Sequence, residues 1–469
     1  MKKVAFHNLG CKVNSYELDG ISQMFQKRGY EIVDFAQKAD IYVINTCTVT
    51  NIADQKSRQM ISRAKTGNPE AVVVAAGCYV QNDPDAASMN KSIDIAVGNN
   101  HKSEIVDIVE EYLRSRNAGE DPGKTLGGRT ISDISLPCEY ENISITAPKG
   151  HTRAFMKIQD GCNQFCSYCA IPLARGRVRS RSLEDITDEA KRLADNGYKE
   201  IVLTGIHLSS YGLDGAYNTF AKAQNTNRAL LSAIEAASSI HGIERLRLGS
   251  LEPRLMTEEF IKELAQNNKI CPHFHLSLQS GSDTVLERMR RHYTTAEYEE
   301  KVSLLREMYE HPAITTDVIV GFPGESDGEF EETRKFLDRI NLYECHVFKY
   351  SRRGGTEADK MKGQISKAEK AVRSELLIAD SKRRWRDFAR YYIGRKVEVL
   401  TEDTEYIDGE AYTVGYTPEY VKVSIPVTKS GQIMQILCFG EGCDTINADR
   451  RGPLVGRPCL HAERLAEGE

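Results

Sequence analysis

The chain has 469 residues, a formal net charge of -5, and 40% hydrophobic against 28% charged residues. That length and balance predict a globular protein of two to four domains and exclude wholesale disorder. They also exclude a protein that holds nucleic acid by bulk charge, leaving local basic patches for any phosphate contact.

The predicted elements begin with short apolar strands at Lys3–His7, Ile41–Asn45, Val72–Ala76 and Ile93–Val97, alternating with helices at Ser15–Arg28 and Asn51–Lys65. This alternation predicts an α/β domain over residues 1–115 built on an open parallel sheet. Residues 116–150, which include RNAGEDPGKTLGG, have turn chemistry and little periodicity and are expected to form a linker. Six further strands are predicted at Ala154–Ile158, Glu200–Thr204, Arg245–Gly249, His273–Leu278, Thr315–Val320 and His346–Tyr350, the first five each followed by a helical segment. Six strand-helix units predict a partial (β/α)6 barrel over residues 151–385, with functional groups at the carboxyl ends of its strands. After a basic helical stretch, the alternating runs KVEVL, YVKVSIP and IMQIL predict a small β-barrel over residues 386–465.

No segment approaches the roughly 20 apolar residues of a membrane span. The amino terminus MKKVAFHNLG is too short and too polar for a signal-peptide core. A cytoplasmic protein with no membrane partner is therefore expected, and its 12 cysteines point to metal or redox chemistry rather than disulfides.

Cys162, Cys166 and Cys169 fall in GCNQFCSYC, a CxxxCxxC spacing just past the first predicted barrel strand. Three thiolates on one loop can hold three irons of a 4Fe-4S cube and leave the fourth open to a small molecule. Reductive cleavage of S-adenosylmethionine (SAM) requires such an open iron. Zinc is the competing reading, but a structural zinc needs a closed set of four ligands and the sequence nearby offers no fourth. Cys11, Cys47 and Cys78 each lie just beyond a predicted strand of the first sheet, in VAFHNLGC, IYVINTC and VVVAAGC. Singly each suits a buried core thiol; together, at strand ends that converge on one crevice, they suit a second cluster. Cys138, Cys271, Cys345, Cys438, Cys443 and Cys459 show no comparable pattern and are expected to be structural or incidental.

Tyr168 is expected to set an aromatic ring beside the cofactor. Thr204, Gly205, Ser250, Glu252, Gln279 and Asp317 stand at ends of predicted strands, where small and polar groups suit SAM lying across the barrel. GFPGES at Gly321 lacks the lysine of a phosphate loop and predicts a plain strand-to-helix turn. Arg175, Arg177, Arg179 and Arg181 alternate along the chain, which suits a clamp on phosphates or on the SAM carboxylate. Lys382, Arg383, Arg384, Arg386 and Arg390 form a second basic run, either a phosphate surface or a solvated face. Beside it, Trp385, Tyr391 and Tyr392 are expected either to stack on unpaired bases or to anchor a domain junction.

The chain resembles the radical-SAM methylthiotransferases through NLGCKVNSYE, NTCTVT, AGCYVQ, GCNQFCSYC, LTGIHLSSYG, SLEPR, LQSGSD, VGFPGE and YSRRGGT, taken in order along the chain. The wording KIQDGCNQFCSYCAIPLARGRVRSRS looks most like the branch that acts on N6-threonylcarbamoyladenosine at position 37 of tRNA and adds a methylthio group at C2. The resemblance implies two 4Fe-4S clusters, one cleaving SAM at Cys162, Cys166 and Cys169 and one carrying sulfur at Cys11, Cys47 and Cys78. It also implies a carboxyl-terminal TRAM domain that binds the anticodon stem-loop, an electron donor such as flavodoxin or ferredoxin, and a sulfur source. The TRAM segment departs from expectation in its acidic residues Glu402, Asp403, Glu405, Asp408 and Glu410. Sibling activities on N6-isopentenyladenosine or a ribosomal-protein aspartate, and a non-catalytic iron-sulfur or zinc RNA-binding protein, are the competing readings.

Overall fold

The computed structural model describes all residues except 122, 124–125, 127–129, 147–151, 215–222, 408, 429, 442–459 and 465–469. Cys443, Cys459, Asp408 and the expected junction at 150–151 thus lie outside the described residues.

The amino-terminal sheet contains β1 (Lys3–Asn8), β2 (Glu31–Val33), β3 (Ile41–Thr46), β4 (Val72–Gly77) and β5 (Ile95–Val97), all parallel, in the order β2-β1-β3-β4-β5. Every residue of β3 and β4 is buried, which is why IYVINT and VVVAAG run apolar without alternation: helices cover both faces. Val43 and Val74 pack toward Ile21, Phe25 and Val109 on one face, while Ile44 and Ala75 pack toward Ile61 and Ala64 on the other. β2 was not expected, because an edge strand of three residues carries too little pattern. The helix Lys12–Lys27 starts earlier than expected, directly at Cys11.

The central unit is formed by β6 (Ala154–Asp160), β7 (Arg179–Ser180), β8 (Glu200–Gly205), β9 (Arg245–Leu248), β10 (His273–His275), β11 (Ala313–Val320) and β12 (Glu344–Lys349). Parallel ladders join β6, β8 and β9, and separately β10, β11 and β12. Parallel bridges Leu246–Ile270 and Leu251–Leu276 link the two groups, so six strands in sequence order curve into an open partial barrel. The short β7 adds antiparallel to β6 at the rim. Inward Leu and Ile residues pack beneath the covering helices around Phe260, Phe274, Tyr298 and Phe336.

The segment expected as a linker is packed against both units where it is described. Ile143 and Ile145 are buried, Tyr140 donates its hydroxyl to the Lys157 carbonyl at 2.7 Å, and Tyr16 donates to the Ile143 carbonyl at 2.5 Å. The helix Lys367–Arg390 then runs to a closed antiparallel-rich barrel of β13 (Lys396–Ile407), β14 (Glu410–Tyr416), β15 (Lys422–Pro426), β16 (Ile433–Glu441) and β17 (Leu460–Arg464), in the order β13-β14-β15-β17-β16. No described helix is long and apolar enough to cross a membrane.

Candidate functional site between two cysteine sets

β6 ends at Asp160, and the chain turns at Gly161 with φ +71°, where an added Cβ would lie 1.8 Å from the Arg177 carbonyl oxygen. Only glycine fits that turn, and it delivers Cys162, Cys166 and Cys169 into one loop. The Cys162 amide donates to the Gly176 carbonyl at 3.0 Å and the Ser167 amide to the Met289 carbonyl at 3.0 Å, which fixes the loop. Burial raises the Cys162 thiol pKa, and charge on Cys166 and Cys169 raises it further; burial and Cys166 push Cys169 up to about 12. Cys162 thus lies beside the sulfurs of Cys166 and Cys169, and a bound metal would stabilise the thiolates of Cys162 and Cys169 that burial disfavours. Arg291 donates to the Cys166 sulfur at 3.3 Å and to Glu252 at 2.7 Å.

Cys11, Cys47 and Cys78 come together likewise. Burial raises Cys47 to about 11 and also raises Cys11; charge on Cys78 adds to both rises, and charge on Cys11 to that of Cys47. Each sits at a parallel strand's carboxyl end, the convergence an open sheet imposes. Asn99 donates to the Cys78 sulfur at 3.6 Å and to the Ala174 carbonyl at 2.6 Å, tying this set to the other unit. Three thiols form the donor set an open 4Fe-4S cube takes.

A cavity of about 220 Å³ is lined by Cys169 of the first set and by the residues that directly follow Cys47 of the second. Thr48, Val49 and Thr50, just after Cys47, form one wall; Tyr168, Cys169, Gln279, Asp317, Ile319, Phe348 and Tyr350 are among the residues facing it. Of the residues expected to hold SAM, Tyr168, Gln279 and Asp317 meet here. Glu252 lies past Cys166, bound to Arg291 and 3.4 Å from His207. Thr204 is buried at the end of β8, Gly205 abuts the Gln159 side chain, and Ser250 is exposed; these three are not part of the cavity lining.

Residues 156–337 match the model of the radical SAM superfamily, and residues 3–98 match an uncharacterized protein family, UPF0004. The threonylcarbamoyladenosine tRNA methylthiotransferase MtaB of Bacillus subtilis is 42% identical over 94% of this chain and 95% of its own length. The MtaB of Aquifex aeolicus is 42% identical over 87% of this chain and 95% of its own. The chain belongs to the radical-SAM tRNA methylthiotransferases. A tRNA-2-methylthio-N(6)-dimethylallyladenosine synthase of Syntrophus aciditrophicus, from a sibling branch, is 32% identical over 99% of the chain and 94% of its own. Among solved structures, the radical SAM methyltransferase TsrM of Kitasatospora setae shares the fold, with a TM-score of 0.55 at 19% identity, covering 76% of this chain and 77% of that one.

In this methylthiotransferase three arginines of the first run do not face solvent. Arg175, Arg179 and Arg181 are buried. Arg175 reaches Glu17 at 2.8 Å, Asp160 at 3.1 Å and Asn14 at 2.6 Å; Arg181 reaches Glu189 at 2.8 Å. Arg177 lies over the Phe165 ring at 4.7 Å. Arg175, Arg179 and Arg181 are consumed by Glu17, Asp160 and Glu189, pairings that alternation alone could not show. In the second run Arg384 is buried against Cys345, whereas Arg383 and Arg390 pair on the surface with Asp338 and Asp387. Trp385 and Tyr392 are buried with Tyr343, Val399 and Val423 at the domain junction, the anchoring placement, and Tyr391 stacks on His311 at 3.8 Å. GFPGES is a plain turn into the helix Asp327–Ile340, capped by Ser326 and Glu329.

Two groups of residues were missed. Arg353, in YSRRGGT, donates to Thr48 at 2.5 Å, Asn51 at 2.6 Å and Asp54 at 2.6 Å, clamping the loop that follows Cys47 to the barrel. Glu17, in NLGCKVNSYE, is fully buried and binds Lys102, Lys157 and Arg175. A charged residue on the apolar side of a predicted helix was the signal available for it.

Proposed function

We propose that this enzyme converts N6-threonylcarbamoyladenosine at position 37 of tRNA to its 2-methylthio derivative, with Cys162, Cys166 and Cys169 holding one 4Fe-4S cluster and Cys11, Cys47 and Cys78 a second. The observation that carries the reading is the cavity lined both by Cys169 of the first set and by Thr48 to Thr50, the residues that directly follow Cys47 of the second, because radical formation and sulfur delivery must act on one bound nucleoside. When bound, the clusters and SAM supply reductive cleavage to a 5'-deoxyadenosyl radical and a methylthio donor. The chain's own part is placement. Gly161 shapes the first loop, Arg291 donates to the Cys166 sulfur while Glu252 holds the guanidinium, and Arg353 keeps the Cys47 loop against the barrel. Tyr168 and Gln279 line the cavity as SAM contacts, and Thr48 to Thr50 form its wall on the Cys47 side.

The carboxyl-terminal barrel is read as a TRAM domain that binds the anticodon stem-loop; a flavodoxin or ferredoxin supplies electrons, a separate sulfur source restores the methylthio group, and the reaction runs in the cytoplasm. The test uses the full chain reconstituted without oxygen, with SAM, reductant and stem-loop RNA carrying N6-threonylcarbamoyladenosine, read by nucleoside mass spectrometry. The 2-methylthio product is expected, with about eight irons per chain falling to about four in a Cys162, Cys166, Cys169 to Ala variant. Product from N6-dimethylallyladenosine RNA alone would replace this substrate with the sibling one.

A further inference from the structure

A barrel of this type normally fills its interior with branched aliphatic side chains. Here three adjacent strands instead bring together His275 of β10, Asp317 of β11 and His346 of β12. His275 Nε2 lies 3.5 Å from the Asp317 carboxylate, and the two imidazoles stack with centroids 5.7 Å apart and planes 18° from parallel. Both rings are oriented from behind: Thr315 Oγ1 is 3.0 Å from His275 Nδ1, and Glu344 is 3.8 Å from His346 Nδ1. The cluster reaches the cavity beside Cys169 through Asp317, which lines it together with Phe348. Phe348, two residues after His346 on the same strand, is 48% exposed, an unusual state for a large aromatic ring beside a deep cleft.

We propose that His275, Asp317 and His346 form the subsite that receives the polar N6 substituent of the target adenosine, with Phe348 as the surface on which the base stacks. The inference rests on the N6-threonylcarbamoyl reading above. That substituent ends in a carboxylate and a hydroxyl and carries carbamoyl N–H groups. The imidazole N–H groups donate to the carboxylate, Asp317 accepts from N–H or O–H, and stacking on one aromatic ring contributes about 1–3 kcal/mol per base. An aliphatic N6 substituent would cover the cluster without pairing it, leaving desolvated polar groups unsatisfied, which is how a hydrogen-bonding site rejects an apolar analogue.

The test compares reconstituted full-length wild type with His346→Leu and His275→Leu on two stem-loops, one with N6-threonylcarbamoyladenosine and one with N6-dimethylallyladenosine. Cleavage of SAM without RNA and iron content report folding and cluster loading; non-iron metal content is measured alongside. The expected result is a loss of roughly 100-fold or more in kcat/KM on the threonylcarbamoyl RNA, no loss on the dimethylallyl RNA, and unchanged cleavage of SAM. An equal loss on both RNAs, or an unchanged preference in both variants, overturns the subsite. One equivalent of a non-iron metal in wild type that disappears in the variants also overturns it, because the three side chains each offer a ligand atom within 4.8 Å of the others. A wild type inert on threonylcarbamoyl RNA yet active on dimethylallyl RNA overturns the parent reading, and the subsite with it.

Discussion

Substituting Glu17→Gln should loosen the joint between the amino-terminal unit and the barrel while leaving the shape of the side chain almost unchanged. Glu17 is wholly buried, as are Lys102, Lys157, Arg175 and Asp160. Its carboxylate accepts from Lys102 on its own unit, and from Lys157 at 2.7 Å and Arg175 at 2.8 Å on the other. Burial alone would favour the neutral acid, but Arg175, Lys102 and Lys157 outweigh it and hold the carboxyl well below its usual range. Breaking a buried ion pair on one side costs roughly 3–5 kcal/mol, because the partner cations stay buried. At roughly 2 °C per kcal/mol for a unit of this size, the first calorimetric transition should fall by about 6–10 °C at pH 7. Since Arg175 also holds Asn14, which donates to the Thr46 carbonyl next to Cys47, iron bound at the second set should fall as well. The depressed pKa sets the pH dependence: the carboxylate's contribution is complete above its unfolded value of about 4.3 and is lost as pH falls below that toward the native value. The wild-type advantage over the variant should therefore shrink below about pH 4. A midpoint within 1 °C of wild type at pH 7, with iron content unchanged, would refute the reasoning.

Three further outcomes are expected. Gly161→Ala forces a Cβ against the Arg177 carbonyl in a left-handed turn, so the reconstituted protein should lose iron at the first set and SAM cleavage, measured as 5'-deoxyadenosine. Arg353→Ala removes three hydrogen bonds to the Cys47 loop; 5'-deoxyadenosine formation should persist while methylthio product falls by tenfold or more, an uncoupling that product-to-cleavage ratios would read. Cys47→Ala should likewise retain SAM cleavage and lose sulfur transfer, and spectroscopic iron content should fall by about half.

Much of this protein was legible locally. A parallel sheet announces itself because strands covered on both faces must be continuously apolar, as IYVINT and VVVAAG are. A cysteine loop such as GCNQFCSYC carries its three sulfurs within eight residues of chain, so spacing alone implies one metal site. The meeting of Cys11, Cys47 and Cys78 was also inferable, since parallel strands point their carboxyl ends the same way. What sequence could not supply were pairings between residues distant in the chain. Arg175 stands in the alternation of an exposed basic strip, yet Glu17, 158 positions away, claims it. Arg353 and Thr48 are 305 positions apart, and His275, Asp317 and His346 become a cluster only when β10, β11 and β12 stand side by side. Composition and periodicity register short-range geometry, so they determined the elements and the metal loops. Which charges are buried, which aromatics anchor a junction, and that Cys169 and the loop after Cys47 line one cavity were decided by tertiary packing, because those facts depend on long-range neighbours that no local pattern encodes.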